Sequence, residues 1–137
     1  MLSARELDVL RRASRSTPVG KALRRHWLPV LPASRLPEPD GEPVSLRVLT
    51  EPLVIFRDSE GRIGVLDAYC PHEQGSLARG INAEGGLTCI LHGWKFDGEG
   101  RRVDSGAVHG APVRTAAYPA VVHEGVVWVF MGSCQTA

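Results

Sequence analysis

Apolar positions follow a helical spacing at the start of the chain and a strand spacing after it. Ser3 and Glu6 stand at capping-box spacing, and Leu7, Leu10 and Ala13 or Ser14 recur at helical intervals among Arg5, Glu6, Asp8, Arg11 and Arg12. That pattern predicts a short helix over about residues 4–14. Thr17 as N-cap before Pro18 predicts a second helix, with Val19, Ala22 and Leu23 apolar, that ends before Pro29. The Pro-rich stretch from Pro29 to Pro43 reads as an extended connection. From Val44 the period changes to two, and Val44 to Leu49, Leu53 to Phe56 and Ile63 to Leu66 read as strands, with a turn at Asp58-Ser59-Glu60-Gly61 between the last two. Glycine-rich stretches around Gly75 to Gly86 and Asp97 to Gly100 alternate with short apolar runs, and Val113 to Tyr118 and Val126 to Phe130 close the chain. No repeat or low-complexity segment stands out. The expected organisation is a small all-β domain over residues 44–137, behind a helical N-terminal extension and Pro-rich connector over residues 1–43.

Composition narrows the function classes. A chain of 137 residues with 43% hydrophobic content builds one ordinary core, and a formal net charge of +1 gives no cue for nucleic acid or an anionic membrane as partner. No apolar run approaches a membrane span, and Met1-Leu2-Ser3-Ala4-Arg5-Glu6 is too polar for a signal peptide, so a cytoplasmic location is expected. Three cysteines make no disulfide framework. Cys134 has no histidine or cysteine beside it and reads as a spare thiol in the tail.

The other two cysteines carry the chemistry. Cys70-Pro71-His72 and Cys89-Ile90-Leu91-His92 each join a cysteine to a histidine two or three positions on, with sixteen residues between the pairs. Two thiolates and two imidazoles suit zinc or iron-sulfur chemistry. A zinc finger gathers its cysteines in one arm and its histidines in the other, whereas each arm here brings one of each. In a Rieske 2Fe-2S centre one iron holds two cysteines and the other two histidines, so mixed arms fit that geometry. His26, His109 and His123 have no carboxylate or cysteine at ligand spacing and read as structural or solvent-exposed.

The stretch from Cys70 to Asp97, with Cys-Pro-His, Gly80, and then Cys89 to His92 followed by Gly93-Trp94-Lys95-Phe96-Asp97, resembles the Rieske domain of ring-hydroxylating oxygenase alpha subunits of the phthalate dioxygenase type. Weaker matches extend it to nearly the whole chain: Thr17-Pro18, Arg25-His26-Trp27-Leu28-Pro29, Leu36-Pro37-Glu38-Pro39-Asp40, Phe56-Arg57-Asp58, Tyr118-Pro119 and Val127-Trp128. The resemblance implies a Rieske-type antiparallel β-sandwich with a loop-built cluster-binding subdomain at about residues 68–112. It also implies a Rieske-type 2Fe-2S cluster, with one iron on Cys70 and Cys89 and the other on His72 and His92.

Around those ligands the resemblance sets further expectations. Rieske proteins of respiratory complexes carry an extra cysteine in each arm and form a disulfide across the cluster; Gly75 and Leu91 occupy those positions here. They also place a serine hydroxyl where this chain has Trp94. Without that donor, the potential is expected in the lower part of the Rieske range of roughly −150 to +300 mV. Gly93 is read either as letting a backbone amide approach the sulfides or as a turn residue, and Trp94 either as a shield over the cluster or as core. Glu73 stands where the family usually has arginine, and Pro112 is a candidate for a third covering loop.

The implied partners are a flavin or ferredoxin reductase as electron donor and a mononuclear-iron oxygenase domain or subunit as acceptor. Nothing after Trp128 supplies a two-histidine, one-carboxylate iron site, so the chain alone is expected to move single electrons, with no catalytic residue of its own. The alternatives are a free-standing Rieske ferredoxin and a non-redox domain in which the four residues hold zinc.

Overall fold

The computed structural model describes residues 3–4, 18–70, 75–90, 93–104 and 114–132. Its elements run α1 (Pro18–Leu23), β1 (Trp27–Pro32), β2 (Val44–Val48), β3 (Glu51–Arg57), β4 (Ile63–Asp67), β5 (Ile81–Ala83), β6 (Gly86–Thr88), β7 (Lys95–Phe96), β8 (Ala120–His123) and β9 (Val126–Phe130), with 3-10 turns at Ala33–Arg35 and Leu77–Arg79. The strands form three antiparallel three-stranded sheets, ordered β1-β9-β8, β2-β3-β4 and β5-β6-β7.

The run Leu53-Val54-Ile55-Phe56 in β3 explains how the sheets stack. Successive strand side chains point to opposite faces, so an unbroken apolar run needs a layer on each side. Leu53 and Ile55 pack with Val65, Val127 and Val129 in one core. Val54 and Phe56 pack with Leu66, Leu77, Leu87 and Phe96 in another. The β2-β3-β4 sheet is therefore the middle layer, shared by the β1-β9-β8 sheet on one face and the β5-β6-β7 unit on the other. Each such side chain contributes roughly 1.5 to 3 kcal/mol of burial.

Pro18 opens α1, as its fixed φ and missing donor favour. The buried Arg24 side chain then ties this end of the chain to the β2–β3 hairpin: it donates to the Gly20 carbonyl (3.0 Å), the Leu49 carbonyl (3.0 Å) and Glu51 Oε2 (2.8 Å). Glu51 Oε1 accepts from the Tyr118 hydroxyl at 3.2 Å. These bonds clamp a two-residue turn whose Leu49 and Thr50 both have positive φ, 48° and 71°, a strained conformation for a β-branched residue.

Strands β2, β3, β4 and β9 and helix α1 lie where the sequence pattern puts them. The helix expected over residues 4–14 lies outside the described residues except for Ala4. Two expectations change. Pro29 to Pro32, read as the start of an extended connection, belongs to the strand Trp27–Pro32 paired with β9, with a register break between Pro29 and Leu31. It runs along a sheet edge, where a residue without an N–H is tolerated. The expected closing strand from Val113 to Tyr118 is replaced: Arg114 and Ala117 make isolated bridges to Arg101 and Leu66, and the strand next to β9 is Ala120–His123.

The fold also shows a short repeat that a linear reading passes over. Asp58-Ser59-Glu60-Gly61-Arg62 and Asp97-Gly98-Glu99-Gly100-Arg101 are two copies of Asp-x-Glu-Gly-Arg. In each, Asp Oδ1 accepts the N–H groups two and four residues on at 2.9 Å, and the arginine Nε returns to Oδ2 at 3.2 or 3.0 Å. The two loops line a common cleft.

Candidate metal centre

Cys70 and Cys89 each open an arm, and the two arms are closed in the same way. In the first arm the Leu77 N–H donates to the Ala68 carbonyl (2.7 Å), Tyr69 bridges Ser76, and the Cys70 N–H donates to the Gly75 carbonyl at 2.7 Å. In the second, Thr88 pairs with Lys95 across β6 and β7, and the Cys89 N–H donates to the Trp94 carbonyl at 2.7 Å. Both arms thus bond a cysteine N–H to a carbonyl five residues on. The thiols are buried at 1% and 2% exposure and belong to the same core as Phe56, Leu66, Leu77, Leu87 and Phe96.

Glycine has a separate role in each half of the second arm. A Cβ on Gly86 would lie 2.4 Å from the Phe96 carbonyl oxygen, so the close β6–β7 approach that presents Cys89 excludes any larger residue there. Gly93 has φ +77°, with nothing within 4 Å of a would-be Cβ, and its N–H donates to the Cys89 carbonyl at 2.9 Å. This is a left-handed turn conformation that favours glycine.

Trp94 is half-buried and packs against the cysteine-bearing core. It also carries a charge that the sequence reasoning missed. The Arg102 guanidinium lies over its ring at 3.7 Å from the centroid. Arg102 in turn donates from Nε to Asp104 Oδ1 (2.6 Å) and from Nη2 to Oδ2 (2.9 Å), and Asp104 Oδ1 also accepts the Lys95 N–H at 3.2 Å. The hydrogen bond to Asp104 holds Arg102 above its ordinary pKa, with smaller additions from the charges of Asp104 and Cys70 and a counteracting effect of burial. The available signal was the i, i+2 spacing of Arg102 and Asp104, which puts both on one side of an extended segment.

Of the candidate site residues, Cys70, Gly75, Cys89, Gly93 and Trp94 are placed on or beside the two arms. His72, Leu91 and His92 lie outside the described residues, as do Glu73, His109, Pro112 and Cys134. His26 is exposed in the turn after α1, and His123 is exposed on β8, 3.9 Å from Glu124. Among the described residues no three His, Cys, Asp or Glu side chains gather as a metal site, and the arms present two thiols. Two buried thiols on matching arms suit the cysteine half of a 2Fe-2S site.

The Rieske [2Fe-2S] domain family matches residues 26–119. The chain is 42% identical over 137 residues to the phthalate 4,5-dioxygenase oxygenase subunit of Pseudomonas putida, covering 96% of this chain and 31% of that protein. It is 44% identical over 138 residues to the 3-chlorobenzoate-3,4-dioxygenase oxygenase subunit of Comamonas testosteroni, covering 97% and 32%. A crystal structure of dicamba monooxygenase with non-heme iron and dicamba superposes with TM-score 0.70 at 28% identity, over 84% of this chain and 35% of that one. The chain thus spans about a third of the length of these relatives.

Proposed function

We propose, from the premise that this chain belongs to the Rieske [2Fe-2S] domain family, that Cys70 and Cys89 bind one iron of the cluster and His72 and His92 the other. The domain is of the kind carried by ring-hydroxylating oxygenase subunits, and the group it binds is a 2Fe-2S cluster. That cluster supplies one-electron transfer. The role of this chain's residues is to hold it. Cys70 and Cys89 provide the thiolates from a water-poor core, and the closing bonds to Gly75 and Trp94 fix the two arms.

In our reading the electron donor is a flavin or ferredoxin reductase and the acceptor a mononuclear iron, as in an aromatic-ring-hydroxylating system. The non-heme iron of the dicamba monooxygenase structure is the acceptor type we have in mind. We place the cluster-binding part at about residues 68–112 and the protein in the cytoplasm. No helix among the described residues is long and apolar enough to cross a membrane, which fits that location. A free-standing ferredoxin is less well supported, because similarity to oxygenase subunits covers 96% of the chain, the N-terminal region included.

The observation that carries the proposal is the pair of identically closed arms, each delivering one buried thiol to the same core. The test is metal and sulfide analysis of the purified protein, followed by reduction. Two irons, two acid-labile sulfides and a Rieske-type rhombic resonance are expected on one-electron reduction. Stoichiometric zinc without iron, after expression with ample iron, overturns it.

A further inference from the structure

Among the described residues, Arg102 and Asp104 form an ion pair tied to the Cys89 arm through Trp94 and the Lys95 N–H, whereas the Cys70 arm has the Asp67 carboxylate on the Tyr69 N–H. Arg102 is a fixed cation: Trp94 lies under its guanidinium at 3.7 Å, and Asp104 binds it in bidentate fashion at 2.6 and 2.9 Å. Its anchor is part of the second arm, because the Trp94 carbonyl accepts the Cys89 N–H. The two charged side chains are only 13% and 18% exposed, so solvent screens them less than it would a pair on the open surface.

Resting on the cluster assignment above, we propose that Arg102 and Asp104 set the reduction potential as an opposed pair, with Arg102 raising it and Asp104 limiting the rise. Reduction adds one electron and therefore one negative charge beside the arms. A neighbouring cation favours that charge and a neighbouring carboxylate opposes it. The pair is close to neutral as a whole, so the two contributions largely cancel in the native protein. Removing either partner exposes the other.

The test is protein-film voltammetry of the cluster-loaded full chain, alongside its absorption and resonance spectra. Arg102→Gln leaves the Asp104 charge without its guanidinium and should shift the reduction equilibrium toward the oxidised form by up to about tenfold, which is about 59 mV for a one-electron couple. Asp104→Asn should shift it the opposite way by a similar factor. Arg102→Lys keeps the charge and should stay within about threefold of wild type.

Shifts of opposite sign for Arg102→Gln and Asp104→Asn, with unchanged spectra, support the proposal. Shifts of the same sign, no shift in either, or loss of the cluster in all three variants overturn it and leave the triad a purely structural brace. Failure of the cluster assignment is a separate result, because it shows as a wild-type protein that has no iron-sulfur spectrum at all.

Discussion

The Cys70 arm and the Cys89 arm follow one plan as far as their closing bond and differ just beyond it. Both bury a thiol in the same core, and both close with a 2.7 Å bond from the cysteine N–H to a carbonyl five residues on. In the first arm that carbonyl belongs to Gly75, and in the second to Trp94, whose ring carries Arg102 and, through it, Asp104. The common plan places two thiols equivalently. Among the described residues the difference places an arginine–carboxylate ion pair on the Trp94 side of the second arm, and under the proposal above that pair tunes the cluster which the thiols hold.

The comparison predicts that the arms are equal in holding and unequal in tuning. The largest effect is expected from Cys70→Ala and Cys89→Ala, each of which should abolish cluster binding, read as loss of iron, sulfide and visible absorption. A variant of one arm that keeps a full cluster would break the equivalence. Next come His72→Cys and His92→Cys. If a cluster assembles, replacing a neutral ligand by an anionic one should lower the potential toward the value of roughly −400 mV typical of plant-type ferredoxins. Voltammetry reads this directly, and an unchanged or higher potential in such a variant contradicts the histidine assignment.

Smaller effects sharpen the difference between the arms. Gly93→Ala puts a Cβ at φ +77° without a clash and should cost about 1 to 3 kcal/mol of stability in a denaturant titration. A cost near zero would show that the second arm relaxes to another backbone conformation. Trp94→Phe leaves an aromatic face under Arg102 and is the mildest change. It should move the potential by less than about threefold, roughly 30 mV. A larger shift would mean that the indole itself, and not the charge it carries, acts on the cluster.

Much of this was legible in the sequence because it rests on local pattern. The mixed Cys and His arms are a spacing signal, the central strands follow period two, and Pro18 marks the start of α1. What escaped depends on long-range placement. Strand β1 contains prolines that argue against a strand, and only its edge position beside β9 resolves the conflict. Strand β8 is largely exposed, whereas Ala117 and Tyr118 are buried because they fill space beside β4, so apolar character pointed to the wrong segment. Arg102 and Asp104 gain their meaning only from Trp94, which lies across from them in the fold. The two histidines fall outside the described residues, so their assignment rests on sequence spacing and family membership.

The most direct test of the central claim is pulsed electron-nuclear double resonance of the reduced protein, prepared with ¹⁵N-labelled histidine. Two strongly coupled imidazole nitrogens are expected, both lost as a pair only when the cluster itself is lost, with one removed in any His72→Cys or His92→Cys variant that still assembles. A reduced cluster with no coupled histidine nitrogen, or one whose couplings persist unchanged in both variants, would contradict the account.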